Sequence, residues 1–518
     1  MHRNDLGRCD TTTMTDMMRH YGNLICMLFL GTLVAMAQSD TTLIDRIRCY
    51  SSERESLMQL AWQNPAIKQW QHGYSLSDVG LSWQLRHEDE PLVTQLGDHE
   101  TTLAFDAQTY MKHRSSTLWG RAYYNNGRQR GIRWNETSDL EVVYPYLLAD
   151  SVPTQAMKLE RYSFMGGYAD RRGPLAWGAT IAYKAGLYYR NVDPRPRNVT
   201  ADLDLSAGLG YRLGGYMAAA SVAFKKYKQT NNVTFYSEMG NEKLFHLTGL
   251  TNDYGRFAGT GYSTYYKGNR WALSLNAHPL GGYGLSASVQ ASRFAFDNVL
   301  TTLNKLPMAH VTHNAIEAEA AWMARSWAVR WSLTASRRVG TENIFGDPAA
   351  QAYQQIGSLD NFHDNRFATA VAGVWQHRLA RLDLALCPAV SYSHINTIYA
   401  DPKGQLQLND VGLSLRARAG ARLGRTYTVV SLGTQWQHPV DDILMLTDVK
   451  DELTALRRIV ERDYAYWAHD RVIWTAALAT SVMLGERYAL RVGADWQCGN
   501  YTDHNRTHRL NTSLSFMF

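Results

Sequence analysis

The chain has 518 residues, with 53 Lys and Arg against 47 Asp and Glu, a formal charge of +6. That length ordinarily means several soluble domains of about 100–200 residues each, yet no Pro- or Ser-rich linker and no shift of composition marks a boundary. The charge excess lacks the basic groove interleaved with aromatics that nucleic acid requires, so that partner is excluded.

The first element is an export signal. Leu24-Ile25-Cys26-Met27-Leu28-Phe29-Leu30 opens an apolar run that reaches Val34, behind Arg19 and His20, and Ala35-Met36-Ala37 supplies a small-x-small cleavage site. The run is too short for a spanning helix, so residues 1–37 read as a secretory signal peptide. Cys9 and Cys26 leave with it. The spacing of Cys49, Cys387 and Cys498 fits neither a disulfide framework nor a zinc site.

Residues 38–73 form a short N-terminal segment. Ser52-Glu53-Arg54-Glu55 predicts a capping box opening a helix through Leu57, Leu60 and Ala61, and Asn64-Pro65 ends it. The helix belongs either in the periplasm or tucked into a lumen. It is far too small for the plug domain of a TonB-dependent transporter.

From 74 to 518 the pattern is alternation. Leu203, Leu205, Ala207, Leu209, Tyr211 and Leu213 alternate with polar or small residues, Gly214-Gly215 turns the chain, and Tyr216, Ala218, Ala220, Val222 and Phe224 resume the apolar face. The same grammar recurs around Arg325-Ser326, Gly424-Arg425 and Gly485-Glu486. The strand near 260–278 is the weakest of the set, because Lys267-Gly268-Asn269 offers a turn or a bulge within it. Counting gives about 18 antiparallel strands, within a range of 14–18, and so a transmembrane β-barrel with short turns in the periplasm and long loops outside. A mean hydropathy of −0.35 does not contradict this, because alternate residues face a wet lumen. The 30 Tyr and 15 Trp suit aromatic girdles at both membrane interfaces. In the loop at 439–470, Leu453, Leu456, Ile459 and Val460 line one face of a predicted helix that packs the loop against the rim.

The final strand places Leu510, Thr512, Leu514, Phe516 and Phe518 toward lipid and Asn511, Ser513, Ser515 and Met517 toward the lumen. This ending resembles the signal by which the barrel-assembly machinery recognises bacterial outer-membrane barrels, with Phe516 and Phe518 as its aromatic residues. The expected location is the outer membrane of a Gram-negative bacterium, with outer-membrane lipid as solvent.

Four motifs carry a resemblance. Asn64-Pro65-Ala66 lies in the N-terminal segment, and Trp134-Asn135-Glu136-Thr137-Ser138-Asp139 precedes Tyr144-Pro145-Tyr146. Asp193-Pro194-Arg195-Pro196 follows Tyr188-Tyr189-Arg190, and Gly340-Thr341-Glu342-Asn343 follows Arg337-Arg338. Together they resemble a family of Bacteroidetes outer-membrane barrels of unknown function, over nearly the whole mature chain. The resemblance implies a barrel and no substrate, so it carries over no functional residue. Prolines on both sides present Arg195 on a stiff turn, and Glu342 is the partner it could meet across the mouth.

The remaining chemistry lies in the lumen. Arg416, Arg418 and Arg422 point inward on one strand, Arg330 on another, and Glu317 and Glu319 on a third. An inward arginine ladder either makes a pore prefer anions or forms salt bridges that fill a closed barrel. If the barrel conducts, small anions are expected to pass better than cations unless Glu317, Glu319, Asp202 and Asp204 neutralise the ladder. His310-x-x-His313 offers two metal ligands without a third, so neither metal nor cofactor is expected. No spacing pairs His438, His469 or His508 with a serine, so no enzyme is expected. The expected role is a channel or transport barrel for a small solute. The alternatives are a non-enzymatic barrel binding or anchoring a surface partner through its loops, and a lipid-modifying barrel enzyme.

Overall fold

The computed structural model describes residues 42–518 apart from 153–155, 238–242, 260–262, 302–304, 349–352 and 503–504. The signal-peptide reading falls outside the described residues.

In chain order the strands are β1 (Leu76–Glu88), β2 (His99–Lys112), β3 (Ser116–Arg130), β4 (Leu147–Ala149), β5 (Met157–Arg172) and β6 (Leu175–Tyr189). They continue with β7 (Arg195–Leu213), β8 (Tyr216–Thr234), β9 (Phe245–Gly249), β10 (Asn252–Asp253), β11 (Ser263–Pro279) and β12 (Gly284–Leu300). Next come β13 (Leu306–Met323), β14 (Trp327–Phe345), β15 (Gln355–Arg378), β16 (Leu382–Tyr399) and β17 (Gly404–Leu423). The last are β18 (Thr426–Pro439), β19 (Ile443–Met445), β20 (Arg471–Met483), β21 (Ala489–Thr502) and β22 (Asn505–Met517). Leaving aside β4, β9, β10 and β19, each strand pairs antiparallel with its neighbours in sequence. β1 pairs with β22 through registers such as Ser82↔Ser513, which closes an 18-stranded barrel.

One end of the barrel carries the short turns, such as Gly214-Gly215 and Gly424-Arg425, together with the start of β1 and the end of β22. The other carries the long connections. Between them runs an outward apolar belt that includes Leu209, Leu273, Val371, Leu432, Leu478, Val492 and Leu514, all well exposed. Among the described residues no helix is long and apolar enough to cross a membrane; the strands are what could.

The strand expected near 260–278 is present as β11, which runs unbroken through Lys267-Gly268-Asn269, paired on both sides without a register shift, so the turn or bulge offered there does not form. One expectation needs correction. The predicted helix at Ser52 is a 3-10 turn, Glu53–Met58, in which Ser52 Oγ accepts from the Arg54 N–H rather than from residue 55. A true α-helix, Leu43–Tyr50, precedes it and was not expected.

The inner wall changes character along its height. Near the short turns it is apolar, with Ala219, Ala321, Met323, Val374 and Met517 buried beneath the N-terminal segment. It is polar at mid-height and apolar again toward the long loops, where Tyr227, Tyr266, Phe296 and Val311 meet the folded-in loops.

Candidate functional site

The segment 42–75 lies within the barrel at the short-turn end and touches strands right round the wall. Arg48 makes a two-pronged ion pair with Asp383 of β16, at 2.6 Å for its Nη2. Glu53 takes both Arg416 and Arg418 of β17, and Asp45 lies 3.8 Å from Arg422. Arg330 of β14 donates to the Ser56 carbonyl at 3.0 Å and stands 3.7 Å from Glu319. The Glu319 carboxylate in turn accepts from the backbone of residues 59–61. On the opposite wall, Asn64 Nδ2 donates to Asn276 Oδ1 of β11 at 2.7 Å, and Tyr110 of β2 donates to the Lys68 carbonyl at 2.9 Å. The Asn64-Pro65-Ala66 knuckle presses on Gly178 of β6 and Gly208 of β7, where any Cβ would overlap Pro65 or Asn64. Beneath it, Leu57, Trp62 and Ile67 pack on the apolar inner wall. Each such burial contributes about 1.5–3 kcal/mol.

Loops fill the other end. β4, β9 and β10 form a three-stranded sheet over the mouth, packed with Trp134, Val143 and Tyr146. The helix Thr454–Trp467 adds Leu456 to the same core, and Leu453 caps its start. It is tied to the β1–β2 loop, where Asp463 accepts from the Thr94 N–H at 2.8 Å and Trp467 donates to the Leu92 carbonyl at 3.1 Å. Arg471, 1% exposed, anchors the helix end by donating to the Trp467 carbonyl and pairing with Asp410 at 2.6 Å.

The motif residues fasten these loops. Glu136 and Arg190 form an ion pair of 2.9 Å with side chains 1% and 3% exposed. Arg190 Nε also donates to the Pro194 carbonyl at 2.8 Å, and Asn198 Nδ2 donates to the Glu136 carbonyl at 2.9 Å. Burial pushes the Glu136 carboxyl well above the usual range; Arg190 opposes that rise and the neighbouring Asp150 reinforces it. Buried Glu342 accepts from the Tyr399 hydroxyl at 2.9 Å and from Asn361 at 3.0 Å, while Thr248 of β9 donates to Tyr399 at 2.9 Å.

Between the two closures the wall leaves polar cavities. One of about 580 Å3 is faced by Arg86, Glu100, Arg416, Asp495 and Arg509. Another of about 390 Å3 lies over Trp62 and Pro65 and is faced by Lys184, Asp204, Lys225 and Arg270. Lys225 lies 3.2 Å from Asp204 and 3.4 Å from Asp202. Among the described residues, Lys184, Arg270 and Arg509 have no carboxylate within ion-pair distance. The enclosed space is therefore polar with a surplus of positive charge.

The structure redistributes the expected partners. The arginine ladder is held by Glu53 and Asp45 of the N-terminal segment, not by Glu317, Asp202 or Asp204. Glu317 faces inward with no charged partner among the described residues. Arg195 and Glu342 do not pair: Arg195 binds Asp193 at 2.6 Å and lies over the Tyr236 ring, while Glu342 is held by Tyr399 and Asn361. Asn343 donates to the Pro307 carbonyl at 2.8 Å. His310 faces outward onto Asp297 while His313 faces inward, and no metal-binding group of side chains occurs among the described residues. His438 pairs with Asp470 at 2.6 Å and His469 with the Ala465 carbonyl, neither with a serine. Phe516 stands outward in the apolar belt and contacts Phe518. Asp45, Arg48 and Arg471 escaped the reading of the sequence, and Glu136 and Arg190 stood in the motifs without their pairing being read. The signal that pointed to them was the pair of apolar zones on the inner face, which demand covers.

A model described as a family of unknown function, DUF6850, matches residues 65–518. No curated protein matches the chain. Among solved structures, a ferric enterobactin receptor mutant from Pseudomonas aeruginosa is 10% identical over 86% of this chain and 80% of its own, with a TM-score of 0.37. The siderophore receptor PirA from Acinetobacter baumannii is 8% identical over 86% and 80%, also at 0.37. The copper transporter OprC is 9% identical over 84% and 81%, at 0.39. Scores at this level carry no argument about what this chain does.

Proposed function

The chain belongs to the family of unknown function DUF6850, so its role has to be read from its own lumen, and we propose that it is a gated outer-membrane transport barrel for a small polar or anionic solute. The observation that carries this reading is the segment 42–75. It closes the short-turn end through ion pairs and hydrogen bonds that can exchange for water, rather than through strands of the wall. A barrel of this strand number encloses a passage wide enough for water once such a closure leaves. The surplus cations of the inner cavities favour anions. In this reading the short turns face the periplasm and the long loops face outward. Export, insertion by the assembly machinery and the absence of catalysis belong to the same proposal.

A surface-binding barrel is supported less, because the loops that would engage a partner are spent inward on the mouth. Conductance of the purified protein in planar bilayers tests the proposal. Wild type is expected to stay closed, and Arg48→Gln with Glu53→Gln is expected to raise open-channel activity. Steady large currents in wild type, or silence in both, overturn it.

A further inference from the structure

The outer wall carries a feature that the lumen does not use. Across β8 and β11–β14 the outward face holds a hollow of about 680 Å3 lined by Val222, Trp271, Leu273, Ala291, Ile316 and Ala335 and bounded by Arg293 and Arg337. A second hollow of about 750 Å3, floored by alanines such as Ala220, Ala287 and Ala318, continues on the same strands toward the short turns. Trp271 pairs with Arg293, Arg293 with Asn314, and Asn314 with Arg337. The two arginines thus stand in one row on either side of an asparagine, about 10 Å apart at the usual strand spacing.

Closer to the long loops, Lys226 and Lys228 on β8 and Lys267 on β11 face the same way. Arg293, Arg337, Lys226 and Lys228 have no carboxylate within ion-pair distance among the described residues. Lys267 lies 3.8 Å from Asp297, which His310 also contacts at 2.8 Å. On β1, β2, β16, β18 and β22 the loop-side part of the outward face carries His87, His99, His394, His438 and His508 instead. Lys226, Lys228, Lys267, Arg293 and Arg337 thus stand together above the two hollows, while other outward cations, such as Arg128 and Arg130 of β3 and Arg506 of β22, stand elsewhere on the wall.

Arginine facing lipid is costly near the bilayer centre and tolerated at the interface. A cluster of unpaired fork donors there is stabilised by phosphate oxygens, which accept two parallel hydrogen bonds from one guanidinium. We propose that this face binds a phosphorylated, multiply acylated lipid of the outer leaflet. Its chains lie in the two hollows and its phosphates on Arg293 and Arg337, with Lys226 and Lys228 behind them. The inference rests on the reading that the long-loop end faces the outer leaflet.

The test uses full-length folded protein in detergent. Lipid A carrying both phosphates, or the same lipid stripped of them, is added, and bound lipid is counted by native mass spectrometry. Retention of the phosphorylated lipid is expected, with about tenfold weaker binding for the stripped lipid and for Arg293→Gln with Arg337→Gln, a loss equivalent to about 1.4 kcal/mol. Arg128→Gln with Arg130→Gln, an outward pair on β3, is expected to bind as wild type does. Ala291→Phe fills the upper hollow without changing charge and is expected to weaken binding too, which keeps the test open if the arginine variant misfolds. Equal retention of both lipids, equal loss in the β3 variant, or ready displacement by inorganic pyrophosphate overturns the proposal. Bilayer conductance is read separately, so failure of the lipid site and failure of the transport reading are distinguishable.

Discussion

Arg190 sits against two buried carboxylates, Glu136 at 2.9 Å and Asp150 at 4.0 Å. Arg190→Ala is expected to cost about 3–5 kcal/mol, since it strands buried charge. Faster proteolysis of the loop 131–156 is the readout, and an unchanged cleavage rate counts against the assignment. The same cluster gives a pH dependence of defined sign. Glu136 is raised above its usual value of 4.5, so the folded loop binds more protons than the unfolded one. Its contribution is complete below the ordinary carboxylate range and is lost as pH rises through the raised value. Protection of the loop should therefore decline on the alkaline side, and Glu136→Gln should flatten the decline; a profile that improves with pH contradicts this.

At the level of elements, the proposed gating assigns the movable part to the N-terminal segment. Gly208→Leu is expected to displace the Asn64 knuckle and raise conductance while leaving the strand register intact. An unaltered closed state in that variant would place the seal elsewhere. The barrel strands were legible because lipid imposes strict alternation on them. Their loop-side extensions were not, and β17 shows why. Leu413 and Leu415 face lipid, but Leu406 and Leu408 lie on the inward face, with Leu406 against the mouth core, while Gln405 and Gln407 turn outward. The apolar phase inverts where the wall leaves the membrane belt, so a pattern search that keeps one phase starts the strand near 411 instead of at Gly404. The N-terminal segment was half legible. Its presence and its Asn64-Pro65 turn could be read, but its binding to the arginine ladder depends on partners more than 300 residues away along the chain.

For the whole molecule, the belt predicts energetics of insertion. Leu514→Arg places a cation on the lipid face, at a cost of up to about 2–4 kcal/mol near the midplane. A reduced yield of the heat-modifiable folded band is expected, and a normal yield means the residue lies nearer an interface. The arginine ladder gives a second forecast. With the segment in place, Glu53 and Asp45 offset two of its three charges; once Gly208→Leu has displaced the segment, Arg416, Arg418 and Arg422 are bare. Reversal potentials in a salt gradient should then show anion preference, and cation preference would mean that Glu317 and its acidic neighbours govern the pore.

The order of contacts along residues 42–75 also sets how the closure yields to a pull. Traction on residue 42 toward the short-turn side loads Asp45–Arg422 first, then Arg48–Asp383, then Glu53 on its two arginines. The apolar grip of Leu57 and Trp62 and the Asn64–Asn276 bond come later. Force therefore meets these links in succession and never all at once, so the segment peels like a zipper at a tension far below that needed to shear it out whole. Traction from the side of β1 meets the Asn64 knuckle before any of the ion pairs. The closure is therefore expected to be mechanically directional, yielding more readily to traction from residue 42 than from β1.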